Sequence, residues 1–224
     1  MEVLRKLELW MDPVVRPGPE AMAVDEWLLE NVTAPLLRVY RWDGDWASVG
    51  YFGKINEARA AIPHVRWVRR WTGGGVVDHR ANWTYSLVVP QAEPLANTRG
   101  AESYRWIHAA LAKVLGGEGT TVELSEGTAE TGAALCFENP VSYDLVGEAG
   151  HKIAGAGQRR TRLGLLHQGS AAMPCDETTS RQRAENLAKS LSENWRRVDF
   201  EIAPQVLKEK TTARYGNERW LEKR

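Results

Sequence analysis

"RRWTGGGVVDH", residues 69–79, places three consecutive glycines between a pair of arginines and a histidine. Gly73, Gly74 and Gly75 carry no Cβ atom, so another group can approach the backbone more closely than any other residue type would allow. Backbone N–H groups beside the guanidinium of Arg70 would suit a carboxylate, a phosphate or a narrow acyl chain. A flexible turn between two strands is the alternative interpretation.

Strand patterns flank this loop on both sides. Residues 65–71, "VRWVRRW", and 82–90, "NWTYSLVVP", are rich in β-branched and aromatic residues. Upstream, "LLRVYRW" at 36–42 and "WASVGYF" at 46–52 enclose the turn sequence "DGD". A short polar turn with a glycine between two strands predicts a β-hairpin.

Helical patterns are separate from these strands. Residues 17–33 and 102–117 carry apolar side chains at helical spacing, the first with a proline near its start and the second ending in glycines. Three further strands are predicted within residues 141–173, and a charged, helical tail begins at about Thr178 and is broken at Pro204. Strands with helices set apart from them predict an α+β fold.

The composition excludes several functional classes. Lysine plus arginine equals aspartate plus glutamate at 29 each, which argues against a general nucleic-acid-binding protein. The chain of 224 residues has no apolar run long enough to span a membrane. The two cysteines have neither CxxC spacing nor histidine neighbours, which predicts a reducing cytoplasmic location and no zinc site.

A lysine followed closely by glycines marks a second candidate stretch, "HKIAGAGQRR" at 151–160. On a strand, Gly155 and Gly157 would let another group approach the backbone. Lys152 is then a compact cation able to stabilise a carbonyl oxyanion or a phosphate. A solvent-exposed basic strand is the alternative.

Two more residues are candidates on weaker patterns. His167 ends an apolar run, where a histidine is more often structural than catalytic. Cys136 lies just ahead of a predicted strand that brings Asp144 close in sequence to Lys152. An isolated cysteine is usually a small buried hydrophobic residue, but a neighbouring cation would lower its pKa and favour the nucleophilic thiolate.

Taken together, these stretches resemble the lipoate–protein ligase A and octanoyltransferase branch of the biotin/lipoate ligase superfamily. The resemblance covers nearly the whole chain and rests on four ordered blocks: "MAVDEWLL" at 22–29, "RVYRWDGDWASVGYF" at 38–52, "RRWTGGGVVDHRANWTYS" at 69–86 and "HKIAGAGQRRTRLGLLHQGS" at 151–170.

The resemblance implies a fold and a domain organisation. The α+β fold would contain mixed, mainly antiparallel sheets with flanking helices, as in a biotin/lipoate ligase catalytic domain. Residues 1–224 would form a single catalytic domain with a helical C-terminal extension over about 178–224. No separate C-terminal accessory domain is expected.

The resemblance also implies the site. The glycine loop would line a tunnel for a lipoyl or octanoyl chain, and Lys152 would hold the activated acyl group. The implied substrate-binding residues are Arg70, Gly73, Gly74, Gly75, His79, Asp144, Gly155 and His167. The chain departs from the family pattern at Arg80-Ala81-Asn82 and at Ala156-Gly157.

Two chemistries fit this family, and a third interpretation stays open. Octanoyltransferases use a cysteine in a Cys-Phe step, here Cys136-Phe137, to take the acyl group from acyl carrier protein. Ligases instead activate lipoate with ATP, which would require Mg²⁺. A binding module without turnover is the third interpretation.

In either enzyme the acceptor would be a lipoyl domain of a dehydrogenase E2 subunit or the glycine-cleavage H protein. No permanently bound cofactor, metal, membrane or nucleic acid is expected. The octanoyl or lipoyl group would be a substrate, and the sequence does not separate octanoyl, lipoyl and biotinyl groups.

Overall fold

The structure is a computed structural model that describes residues 2–127 and 141–223. Within these residues the strands form two sheets. The strands are β1 (Leu7–Met11), β2 (Leu36–Tyr40), β3 (Trp46–Val49), β4 (Arg66–Arg69), β5 (Val76–Asp78), β6 (Trp83–Pro90), β7 (Glu123–Leu124), β8 (Leu145–Val146), β9 (Lys152–Thr161), β10 (Gly164–Ala171) and β11 (Trp195–Arg197). The larger sheet has the order β11-β1-β2-β6-β10-β9-β8-β7, and the smaller has the order β4-β3-β5.

Antiparallel pairing dominates the larger sheet, whereas the smaller sheet has one parallel and one antiparallel pair. The pairs β1–β11, β1–β2 and β3–β4 are parallel. The remaining neighbours, including the long pairs β6–β10 and β9–β10, are antiparallel. This arrangement confirms the predicted α+β fold with mixed, mainly antiparallel sheets and flanking helices.

Helices flank both sheets. They are α1 (Gly18–Asn31), α2 (Ile55–Ala61), α3 (Pro94–Asn97), α4 (Gly100–Gly117), α5 (Glu177–Leu191), α6 (Pro204–Lys210) and α7 (Glu218–Leu221), with a 3₁₀ turn at Glu148–Gly150 and a π-helical turn at Thr211–Tyr215. The two predicted helices are confirmed as α1 and α4. The predicted helical tail contains α5 to α7, but β11 interrupts it, and Pro204 begins α6 where a break in the helix was predicted. Within the described ranges, no helix has both the length and the apolar character needed to cross a bilayer.

The predicted hairpin of β2 and β3 is wrong, because the two strands belong to different sheets. β2 pairs with β1 and β6, whereas β3 pairs with β4 and β5. The turn between them has Gly44 at a φ of +92°, and Asp43 accepts a hydrogen bond from the indole of Trp46 at 2.7 Å. The "DGD" sequence therefore turns the chain from the larger sheet into the smaller one, and the strands on either side of it, β2 and β3, do not pair.

The larger sheet is buried on both faces. Alternate residues of β6 separate the two sides: Tyr85 and Leu87 join the apolar cluster beneath α4 and α5, whereas Val88 joins the cluster beneath α1. Ser86, on the α1 side, donates a hydrogen bond to Asp25 of that helix. Ser86 and Gln168 of the central strands thus face α1, and the candidate site lies on that face.

Candidate active site

Lys152 opens β9 as a buried cation, with its side chain only 2% exposed. Its Nζ lies 2.7 Å from Oδ2 of Asp144, whose side chain is fully buried. A Cβ atom on Gly155 would lie 2.2 Å from Cε and 2.5 Å from Nζ of this lysine. Gly155 is therefore required for the lysine side chain to lie in this position.

Asp144 receives three hydrogen bonds that fix its carboxylate. Oδ2 accepts from Lys152 and from the backbone N–H of Val141 at 2.7 Å. Oδ1 accepts from the hydroxyl of Tyr104, on α4, at 2.5 Å. Asp144 is thus a buried, fully bonded counter-ion beneath Lys152, and it lies outside the lining of the adjacent cavity.

A narrow cavity lies against Lys152 on the α1 face of the sheet. Its volume is about 20 Å³, and four of the predicted site residues line it: Arg70, His79, Lys152 and Gly155. Its apolar lining includes Met22, Trp42 and Val77. Residues from widely separated parts of the sequence, including both glycine-containing stretches, therefore border one cavity, which we call the slot.

The triple-glycine loop supports the slot from outside its lining. A Cβ atom on Gly157 of β9 would lie 2.4 Å from the carbonyl oxygen of Gly73, so this contact places backbone directly against backbone. Gly74 has a φ of +92°, a backbone conformation that residues with a side chain rarely adopt. The carbonyl oxygens of Gly73 and Gly75 both accept hydrogen bonds from Arg70 at 2.9 Å. Close packing of the loop on β9 therefore requires Gly157 to lack a side chain, whereas a Cβ atom on Gly73 would have no neighbour within 4 Å.

His79 connects to Arg70 through Ser48. The Arg70 guanidinium donates to Ser48 Oγ at 2.8 Å, and Ser48 Oγ lies 2.7 Å from His79 Nε2. Burial and the nearby Arg70 charge lower the pKa of His79 to about 3, so its ring is neutral.

Two buried polar atoms in the slot lining have no hydrogen-bond partner within residues 2–127 and 141–223. They are Nδ1 of His79 and Oγ of Ser170, a residue that the sequence analysis did not single out. Buried polar atoms are usually satisfied, so such exceptions are expected where a ligand binds. Together with Lys152 they supply polar groups to an otherwise largely apolar cavity.

Gln168 is a second lining residue that the sequence analysis missed. Its Oε1 accepts from the hydroxyl of Thr72 at 2.8 Å, and its Nε2 donates to Asp25 at 2.6 Å. Asp25 in turn pairs with the buried Arg38 at 2.7 Å. This series of hydrogen bonds joins the glycine loop, β10 and α1. The sequence signal for it was the pair of oppositely charged residues Asp25 and Arg38, in elements whose other buried residues are mostly apolar.

The structure places His167 on the opposite face of the sheet. Its Nε2 lies 3.2 Å from the hydroxyl of Tyr85, and its Nδ1 lies 3.1 Å from the amide nitrogen of Gln158. The ring is fully buried, and burial lowers its pKa well below the usual value. His167 therefore contacts the core beneath α4 and not the slot.

A wider cavity of about 520 Å³ adjoins the slot and shares Tyr40, Trp42, His79 and Thr84 with its lining. Arg80, one of the departures from the family pattern, lies here and pairs with Asp78 at 2.5 Å. Cys175 also lines it, and burial raises the pKa of that thiol. The candidate nucleophile Cys136 lies outside the described residues.

No metal centre is evident around these cavities. Across residues 2–127 and 141–223, no three histidine, cysteine, aspartate or glutamate side chains are grouped so that they could hold a metal ion.

Comparison with known proteins identifies relatives of this chain. The octanoyltransferase LipM of Brevibacillus brevis is 33% identical over 171 residues, which cover 69% of this chain and 62% of that protein. The octanoyltransferase LipM of Carboxydothermus hydrogenoformans is 35% identical over 181 residues, covering 76% of this chain and 67% of that protein. The matched part thus spans about two thirds or less of the length of these relatives.

Solved structures share the fold at lower identity. A protein of Thermoplasma acidophilum with bound lipoic acid superposes with a TM-score of 0.74 at 18% identity, covering 99% of both chains. A lipoate-protein ligase A bound with ATP superposes with a TM-score of 0.69 at 20% identity, again covering 99% of both chains. The family description "Lipoyl protein ligase A/B catalytic domain" matches residues 17–203. The chain therefore belongs to the lipoyl protein ligase A/B catalytic domain family.

Proposed function

We propose that the protein transfers an octanoyl group from acyl carrier protein to a specific lysine of a lipoyl domain. The observation that carries the proposal is the Lys152 ammonium, which packs on Gly155 at the wall of a narrow, largely apolar slot. An acyl chain would occupy the slot with its carbonyl oxygen at the ammonium. The 33–35% identity with octanoyltransferases favours octanoyl over lipoyl as the transferred group.

The proposed chemistry is thioester exchange followed by amide formation. The Cys136 thiolate attacks the thioester carbonyl of the donor, and the carrier thiol leaves with the proton that the cysteine gave up. The neutral amine of the acceptor lysine then attacks the acyl-Cys136 thioester, and Cys136 regains its thiol proton. Neither step changes an oxidation state or needs ATP, and Lys152 would stabilise the oxyanion in both.

Entry of an acyl chain requires side chains of the slot to move. A volume of about 20 Å³ holds about one water molecule. Met22 is unbranched and adapts readily to a new neighbour. Trp42 is half-buried between the slot and the wider cavity, where it stacks on His79 at 4.0 Å. Movement of these two side chains would join the cavities into one channel leading to Lys152.

The proposed partners follow from this reaction. Acyl carrier protein would be the donor, and lipoyl domains of dehydrogenase E2 subunits or the glycine-cleavage H protein would be the acceptors. We propose a cytoplasmic enzyme whose residues 1–224 act as a single catalytic domain, without a permanently bound cofactor.

Intact-protein mass spectrometry tests the proposal. The protein is incubated with octanoyl carrier protein in the absence of ATP, together with the variants Cys136→Ser and Cys175→Ser. We expect one octanoyl group on the unaltered protein and on Cys175→Ser, and none on Cys136→Ser. Absence of an octanoyl adduct from all three proteins, together with ATP-dependent lipoylation of an acceptor, would contradict the transferase proposal.

The second candidate function is ATP-dependent lipoate ligation through a lipoyl-adenylate. The observation that favours it is the 520 Å³ cavity that adjoins the slot, since that volume suits a ligand larger than an acyl chain. Acceptor lipoylation from free lipoate that requires ATP and Mg²⁺, and that persists in Cys136→Ser, would establish it. Binding of octanoate or lipoate without turnover under either condition would instead indicate a binding module.

A further inference from the structure

We infer that Tyr104 is a positioning residue that fixes Lys152 through Asp144. Tyr104 lies on α4, on the opposite face of the larger sheet from α1, and it is buried. It is not among the residues that line the slot. The inference rests on the proposed function only for its activity measurement.

The hydroxyl of Tyr104 has one hydrogen to donate, and the distances show where it goes. Oη lies 2.5 Å from Oδ1 of Asp144 and 3.3 Å from the carbonyl oxygen of Ala156. The Asp144 carboxylate is the closer and the stronger acceptor, so the hydroxyl hydrogen points to Asp144. Oη also accepts from the backbone N–H of Ala156 at 2.8 Å. A single hydroxyl therefore binds both the counter-ion of Lys152 and the backbone of the slot wall.

The position of Ala156 explains why a side chain makes this contact. Pairing between β8 and β9 ends at Leu145↔Ala154, so β8 supplies no partner for the backbone of Ala156. Tyr104 provides the hydrogen-bonding partner there. Because Ala156 lines the slot next to Gly155, this contact sets the slot wall at the point where Lys152 packs.

The carboxylate of Asp144 is held at both oxygens. Oδ2 accepts from Lys152 Nζ and from the Val141 N–H, each at 2.7 Å, and Oδ1 accepts from Tyr104. Without the hydroxyl, the carboxylate can rotate about its Cβ–Cγ bond and the ammonium can follow it. Tyr104 thus determines where the Lys152 ammonium stands relative to the slot wall.

Tyr104→Phe is expected to lower kcat for octanoyl transfer about 10- to 100-fold, since the loss of a hydrogen bond to a charged group corresponds to that range. The affinity for octanoate should fall by a smaller factor than kcat, because Tyr104 acts on the slot only through Asp144 and Ala156. Tyr85→Phe is the matched control. It removes another buried hydroxyl, 3.2 Å from His167, without touching Asp144 or Ala156, and should leave kcat within about twofold.

A double-mutant cycle between Tyr104→Phe and Asp144→Asn separates positioning from general destabilisation. If Tyr104 acts through Asp144, Tyr104→Phe should add little to the effect of Asp144→Asn, both in kcat and in the urea midpoint of unfolding. Additive effects of the two substitutions, or a loss of kcat in Tyr85→Phe equal to that in Tyr104→Phe, would overturn the inference. If the unaltered protein transfers no octanoyl group but the unfolding cycle is non-additive, the proposed function fails while the positioning role stands.

Discussion

Lys152 is a buried cation at the wall of the slot, and its charge is matched by Asp144 at 2.7 Å. We expect Lys152→Met to abolish acyl transfer, because methionine fills similar space but offers no hydrogen bond to an oxyanion. It should also lower the free energy of unfolding by about 3–5 kcal/mol, since the buried Asp144 carboxylate loses its cation. Urea unfolding at pH 7 and a transfer assay measure the two effects.

The double variant Lys152→Met/Asp144→Asn is the control for this prediction. It removes both charges, so it should regain most of the lost stability while remaining inactive. Recovery of activity in the double variant would show that the ammonium has no role in the reaction.

Gly155 carries a second prediction at the residue scale. Gly155→Ala should remove most of the activity and lower stability by about 1–3 kcal/mol, because a methyl group would occupy the position of the lysine Cε and Nζ. Gly116→Ala on α4 is the matched control, since a Cβ atom there has no neighbour within 4 Å. It should be neutral or slightly stabilising. Equal activity in the two variants would contradict the assigned role of Gly155.

At the scale of secondary-structure elements, local sequence predicted the two long helices α1 and α4 well, but it did not predict α2 and α3, and it predicted strand pairing less well. The apolar periodicity of α1 and α4 depends on neighbours three and four residues apart, so it can be read from the sequence directly. The pairing of β2 and β3 depends on distant strands, and a turn sequence specifies a bend without specifying a partner. β11 has only three residues and pairs with β1 from the other end of the chain, so no local pattern revealed it.

Buried histidines on separate elements predict acid sensitivity. Burial lowers the pKa of His79, after β5, to about 3 and that of His108, on α4, to about 4, from the usual 6.5. Below pH 6.5 the unfolded chain binds protons at these rings that the folded chain does not bind. Stability should therefore fall with decreasing pH, from about 6.5 down to 4 for His108 and down to 3 for His79, by up to about 1.4 kcal/mol per pH unit for each ring.

Urea unfolding at pH 6.5 and pH 5 checks this prediction. His108→Asn keeps a side-chain donor for the carbonyl oxygen of Tyr143, which the ring approaches at 2.7 Å, but it cannot titrate. The stability lost between the two pH values should be about 1.5 kcal/mol smaller in this variant. An equal loss in both proteins would contradict the assigned protonation state of His108.

At the scale of the whole molecule, the candidate site forms where two sheets and α1 meet. The sequence motifs predicted that the arginine–glycine loop and Lys152 belong to one site, and Arg70, His79, Lys152 and Gly155 do border one slot. The face of a strand on which a side chain lies depends on sheet register, which local sequence does not reveal. The sequence therefore could not show that His167 lies on the opposite face, or that Asp144 and the glycine loop support the slot without lining it. Gln168 and Ser170 were missed because common polar residues carry no local signal of a cavity.

A crystal structure with a bound octanoyl group, as octanoate or as the acyl-enzyme, is the most direct test of how the molecule holds its substrate. We predict the carbonyl oxygen within about 3 Å of Lys152 Nζ and the alkyl chain between Met22 and Val77, with Trp42 displaced from its present position. An octanoyl group bound elsewhere, with the slot still closed over the Lys152–Asp144 pair, would contradict the assignment of this slot as the acyl site.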